Sequence, residues 1–236
     1  MTLPAVMFDM DGLLLDTEKV CLECFVATRR EFGLPDNPDV FLKCVGLRGE
    51  KPERIIRESL GDKVELAAFD TAWDKKIDAS ISRDVPVKSG AITLVRALAA
   101  KGVLMGVATS TNTQRAKAQL DRAGLLAYFT CVIGGDLVQN HKPNPEVYHK
   151  VAQILGVKAK DCVAFEDSET GTRAAVASGA ITVQVPDLIQ PSQGLIALGH
   201  IIAPTLIAGA LRAGLIGACD IESEPINPNA AHRPKG

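Results

Sequence analysis

Short apolar runs alternate with longer helical patterns over most of the chain. Ala5–Phe8, Val103–Ala108, Cys131–Gly134, Cys162–Phe165 and Ile181–Val185 are continuous rather than alternating runs. A strand covered on both faces has that signature. Helical patterns lie near Gly90–Ala100, Thr113–Ala123, Pro145–Leu155 and Thr172–Ser178. Gly102, Gly124, Gly156 and Gly179 stand at or near their ends, where a left-handed residue is favoured. Strand and helix in alternation predict an α/β fold with a doubly wound parallel sheet.

The stretch from Thr17 to Pro86 breaks this rhythm. It lacks buried-strand runs, carries more charge, and reads as helices over Glu18–Phe32, Pro38–Val45, Pro52–Leu60 and Val64–Ser82. It is a predicted helical insertion after the first strand. The expected organisation is a core of residues 1–16 and 87–221, a helical unit over 17–86, and a flexible polar tail over 222–236. Leu195 to Ala218 is apolar enough to suggest a membrane span, but Pro204 divides it and Arg212 charges it. A short strand, His200–Ala203, and an amphipathic helix, Thr205–Ala213, fit it better.

Composition narrows the classes. The chain has 236 residues, 47% of them apolar, with a formal net charge of −2. It can bury a sizeable core, and it has no electrostatic footprint for nucleic acid or an anionic membrane. The six cysteines are irregularly spaced and read as buried free thiols of a reducing compartment. Cys21 and Cys24 form a lone CxxC with no second pair. The first residues lack a basic n-region, so a cytoplasmic protein is expected.

In open α/β sheets, ligands bind beyond the carboxyl ends of the strands. Asp9, Asp11 and Asp16 follow the first apolar run. Thr109, Ser110 and Thr111 follow the second, and Glu166, Asp167 and Ser168 follow Cys162–Phe165. The loop after Cys131–Gly134 holds Lys142 before Pro143 and Pro145. Carboxylates gathered in one crevice repel each other, and a divalent cation relieves that. Hard oxygen donors without a partner His or Cys point to Mg²⁺. With Lys142 and the hydroxyls, such an ion would clamp a phosphoryl group.

FDMDGLLLDTE (Phe8 to Glu18), VATST (Val107 to Thr111), KPNPEVY (Lys142 to Tyr148) and FEDSETG (Phe165 to Gly171) occur in order on predicted strand ends. Together they resemble the haloacid dehalogenase-like hydrolases, in the capped phosphatase and β-phosphoglucomutase branch. The resemblance covers about residues 3 to 217 and implies a Rossmann-like core with an inserted helical cap. It implies Asp9 as nucleophile and Asp11 as general acid and base. Thr109 and the Ser110 amide would bind phosphoryl oxygens, and Lys142 would neutralise their charge. Mg²⁺ would be held by Asp9, the Asp11 carbonyl and Asp167, with Glu166 bound directly or close by.

Cap residues choose the substrate in such enzymes, and Glu18, Arg48 and Lys76 are the candidates. The mutases of this branch carry a His early in the first cap helix and a Ser-Arg pair. This chain has Val20, Cys21 and Leu22 there, and reads Arg48-Gly49. Transfer of the phosphoryl group to water is therefore favoured. The expectation is a monomeric Mg²⁺-dependent phosphatase of a small phosphate monoester, such as a sugar phosphate. A sugar-phosphate mutase is the alternative, and a non-catalytic phosphate- or Mg²⁺-binding protein is a third reading.

Overall fold

The computed structural model describes residues 4–45, 50–62 and 64–220. Six strands, β1 (Ala5–Phe8), β2 (Met105–Ala108), β3 (Cys131–Ile133), β4 (Cys162–Glu166), β5 (Ile181–Gln184) and β6 (Ile201–Ile202), form one sheet. Its order is β3-β2-β1-β4-β5-β6, and every pairing is parallel. The order reverses between β1 and β4, and in such sheets that switch point opens the crevice where ligands bind.

Side-chain alternation sorts each strand between two cores. Val6, Phe8, Met105, Val107, Val163 and Phe165 face one side. There they meet α5 (Ala91–Ala100), α6 (Thr113–Arg122) and α10 (Leu206–Arg212). Ala5, Met7, Ala108, Cys162 and Ala164 face the other side, under α7 (Glu146–Ile154) and α8 (Glu169–Ala177). Coverage on both faces is the reason the runs are continuously apolar. A short α9 (Gln193–Ile196) follows β5 and has no counterpart in the hydrophobic pattern.

Four described helices stand between β1 and α5. They are α1 (Thr17–Glu31), α2 (Pro38–Cys44), α3 (Glu50–Leu60) and α4 (Leu66–Arg83). Their apolar faces build a separate core around Phe25, Phe41 and Phe69, with Trp73 packed against it. The Phe25 ring lies 5.2 Å from Trp73 and 5.5 Å from Phe69, both edge-on. Edge-to-face pairs of this kind add to area burial. The chain enters and leaves this cap side by side: the Asp16 N–H donates to Pro86 O (2.8 Å) and the Lys88 N–H to Leu14 O (2.9 Å). Lys88 Nζ also binds the Asp16 and Asp187 carboxylates.

Boundaries differ from the hydrophobic pattern where capping decides them. Helix α8 begins at Glu169, three residues before the expected Thr172, because Ser168 Oγ accepts from the Gly171 N–H at 3.1 Å. Strand β2 begins at Met105 rather than Val103, whose N–H closes the preceding helix on Leu98 O. Two cysteines, Cys24 and Cys162, are buried; Cys219 is exposed, and all six are free. The expectation of buried thiols is corrected at Cys219, which lies in the last described turn, and in part at Cys21, Cys44 and Cys131, which are half-buried. Among the described residues no helix is long and apolar enough to cross a membrane. The expected tail from residue 222 lies outside the described residues.

Candidate active site

Asp9 follows β1, and its N–H donates to Phe165 O (2.9 Å), which fixes it at the switch point. Lys142 reaches it from the loop after β3. The Lys142 ammonium donates to Asp9 Oδ1 (2.5 Å), Glu166 Oε1 (2.5 Å) and Ala108 O (3.0 Å). Those three bonds use its full donor set, and the side chain is 4% exposed. Both carboxylates hold the Lys142 ammonium well above its ordinary pKa, against the opposing effect of burial.

Glu166 is fully buried and saturated. Oε1 accepts from Lys142 and from Tyr148 Oη (2.6 Å); Oε2 accepts from the Asp167 N–H and Ser168 Oγ, both at 3.2 Å. Gly171 leaves room for it, since a Cβ there would stand 2.0 Å from Oε1. Gly171→Ala is therefore expected to destabilise the protein by ~1–3 kcal/mol through overpacking. A melting curve matching wild type would contradict that.

Asp11 points elsewhere. Its carboxylate accepts from Thr17 (2.9 Å), Thr111 (2.7 Å) and Thr109 (3.3 Å) hydroxyls. Neighbouring Gly12 has φ +80°, and a Cβ there would meet Asp167 Oδ2 at 2.4 Å. Only glycine fits the turn that brings Asp11 and Asp167 together.

Asp9, Glu166 and Asp167 offer carboxylate oxygens within 4.8 Å of one another. Burial, outweighing Lys142, raises the Asp9 pKa well above the ordinary range; Glu166 and Asp11 add to it. Burial likewise raises Asp167, followed by repulsion from Asp9, Glu166 and Glu18. An all-oxygen set with more negative charge than Lys142 balances fits a hard divalent cation.

Asp9, Asp11, Thr109, Ser110, Lys142 and Asp167 line one crevice of about 180 Å³, which Glu18 and Val45 border from the cap side. A cleft of about 300 Å³ continues past Asp167 toward Asp187 and Leu188. Burial raises Glu18 to about 7, with Asp11 and Asp187 adding repulsion and Lys88 offsetting part of it. The folded state thus favours neutral Glu18. The stability this gives is full below the unfolded value near 4.5 and is lost as pH rises through about 7. Glu18→Gln is expected to melt higher than wild type in EDTA at pH 8, by ~1–3 kcal/mol, with the gain gone by pH 4.5. An equal gain at both pH values would contradict this.

Lys76 is not brought to the crevice. It pairs with Glu31 and lines an outer cavity with Glu23 and Arg83. Arg48 lies outside the described residues. Thr111, named among the strand-end hydroxyls, joins the site through Asp11, while Thr17 and Tyr148 join it without having been singled out as candidates.

An acid-lined crevice at the switch point of a doubly wound parallel sheet, beneath a helical insertion, defines a capped, Rossmann-like α/β fold. Residues 6–185 match the family model of the haloacid dehalogenase-like hydrolases, and the chain belongs to that family. It is 33% identical over 178 residues to the phosphorylated carbohydrates phosphatase of Thermotoga maritima, covering 74% of this chain and 81% of that one. It is 30% identical over 182 residues to the fructose-1-phosphate phosphatase of Escherichia coli, covering 76% and 95%. A haloacid dehalogenase family hydrolase from Deinococcus radiodurans, solved with bound phosphate and sodium, superposes with a TM-score of 0.77 at 28% identity, covering 91% and 98%.

Proposed function

We propose that the protein is a Mg²⁺-dependent phosphatase of a small phosphate monoester, a sugar phosphate, acting through a phosphorylated Asp9. The observation that carries this reading is the pairing of two differently held aspartates on one crevice. Asp9 is tied to Lys142 among the carboxylates, while Asp11 is held apart by three hydroxyls. Two carboxylates in contrasting environments can divide nucleophile and acid–base roles. The names of the two relatives support the substrate class.

In the first step an Asp9 oxygen attacks phosphorus, and the bond from phosphorus to the ester oxygen breaks. Asp11 gives its proton to that oxygen, which leaves as an alcohol. In the second step Asp11 takes a proton from water, whose oxygen attacks phosphorus, and the Asp9–phosphorus bond breaks. Thr109 and the Ser110 N–H orient the phosphoryl oxygens, and Lys142 offsets their charge. Asp9, Asp167 and the Asp11 carbonyl would hold Mg²⁺, which supplies further charge stabilisation when bound. Glu166, with both oxygens engaged, anchors Lys142 and Asp167 rather than binding the ion. The free cysteines suit a reducing compartment such as the cytoplasm.

Phosphorus NMR of a hexose monophosphate incubated with the protein and Mg²⁺ tests the reading. Growth of inorganic phosphate is expected. Conversion to an isomeric ester with a bisphosphate requirement would assign a mutase instead, and binding without turnover a non-catalytic protein.

A further inference from the structure

Asp167, one of the residues that would hold Mg²⁺, stands between β4 and α8, and two side chains grip its backbone. Glu166 Oε2 accepts from the Asp167 N–H, and Gln184 Nε2 donates to the Asp167 carbonyl, both at 3.2 Å. Gln184 is the last residue of β5 and is 1% exposed. The sheet fixes its backbone: the Ala203 N–H donates to Gln184 O (2.9 Å), and the Val185 N–H to Glu166 O (2.7 Å). Behind the Gln184 amide stands His200, just before β6, with Nε2 at 2.9 Å from Gln184 Oε1. The other ring nitrogen, Nδ1, is buried and has no hydrogen-bond partner among the described residues.

These contacts admit one arrangement of protons. A carbonyl oxygen only accepts, so the Gln184 amide turns its NH₂ to Asp167 and its oxygen to His200. His200 then donates from Nε2, which leaves Nδ1 as the bare acceptor of a neutral ring. A protonated ring would instead bury an unmatched N–H at Nδ1. Burial lowers the His200 pKa, which favours the same neutral ring. The His200 donor also opposes a half-turn of the amide, which would set its oxygen against the Asp167 carbonyl. Resting on the Mg²⁺ part of the proposed function, we infer that Gln184 and His200 are positioning residues of the ion site. His200 orients the Gln184 amide, and the amide holds the Asp167 peptide so that its carboxylate stands beside Asp9 before an ion arrives. A ligand fixed in advance loses less freedom on binding, and outer partners that fix ligands are worth roughly 10- to 100-fold in metal affinity.

The test is calorimetric titration of the protein with Mg²⁺ alone, which reads the Kd of the ion without turnover. Gln184→Met, close in volume but without a donor, is expected to raise that Kd about tenfold. His200→Leu is expected to raise it about tenfold as well, whereas His200→Gln, which keeps a side-chain N–H, should stay within about threefold of wild type. Leu98→Ala separates lost positioning from lost stability. Leu98 lies beside the amino end of β2, away from the crevice, and its truncation is expected to lower the melting temperature in EDTA while leaving the Kd unchanged. An unchanged Kd in Gln184→Met or in His200→Leu overturns the inference, as does a tenfold rise in Leu98→Ala. An equal loss in His200→Gln and His200→Leu overturns the donor role of the ring. Should Gln184→Met fail to fold, the two His200 variants decide. Wild type that takes up no Mg²⁺ overturns the metal reading and this inference with it.

Discussion

Lys142→Met is expected to lower kcat/KM for phosphate release by roughly 1,000-fold, on the scale of removing a preorganised donor from a transition-state site. The same change leaves the Asp9 and Glu166 carboxylates buried without their cation. Removing one partner of a buried ion pair costs ~3–5 kcal/mol. The two effects are separable. Part of the stability returns on lowering the pH, because neutral carboxyls need no cation, whereas activity does not. Parallel kinetics and denaturant melts would show this. A variant that melts like wild type at pH 8 would contradict the buried triad, and one that keeps full activity would contradict the phosphoryl clamp.

Asp11→Asn is expected to lower turnover of sugar phosphates by roughly 100- to 10,000-fold, the span of general acid–base catalysis. The amide keeps the shape but carries no transferable proton. The distinctive outcome comes with p-nitrophenyl phosphate, whose leaving group departs without protonation. The variant should then release a single equivalent of nitrophenolate and stop, because the second step still needs a base. Intact-protein mass spectrometry should show one added phosphoryl group, lost on adding Asp9→Asn to the same chain. Steady nitrophenolate release at the wild-type rate would contradict the assignment of Asp11.

The strands were legible because both faces of the sheet are covered, which leaves a continuous apolar signature in β1, β2 and β4. The polar residues after each run then marked the crevice, and the family resemblance of the four ordered motifs picked out Asp9, Asp11, Thr109, Lys142 and Asp167 among them. Contacts that depend on how separate elements pack could not be read in this way. Thr17 starts a cap helix and Thr111 stands in the core loop after β2, yet both donate to Asp11. Tyr148 lies in the first turn of α7, just past the Lys142 loop, and only the packing of α7 brings its hydroxyl to Glu166. Lys76 shows the converse: a basic residue on a cap helix was named toward the site, but it pairs with Glu31 and lines a different cavity. The saturation of Glu166 was likewise invisible, since it depends on four donors from three segments.

The aspartyl chemistry is tested most directly by inorganic phosphate release from small phosphate monoesters, measured with Mg²⁺ and with EDTA, with Asp9→Asn as the control protein. Release from at least one ester that requires Mg²⁺ and disappears in Asp9→Asn is the expected result. Release that persists in Asp9→Asn, or that is indifferent to EDTA, would contradict it.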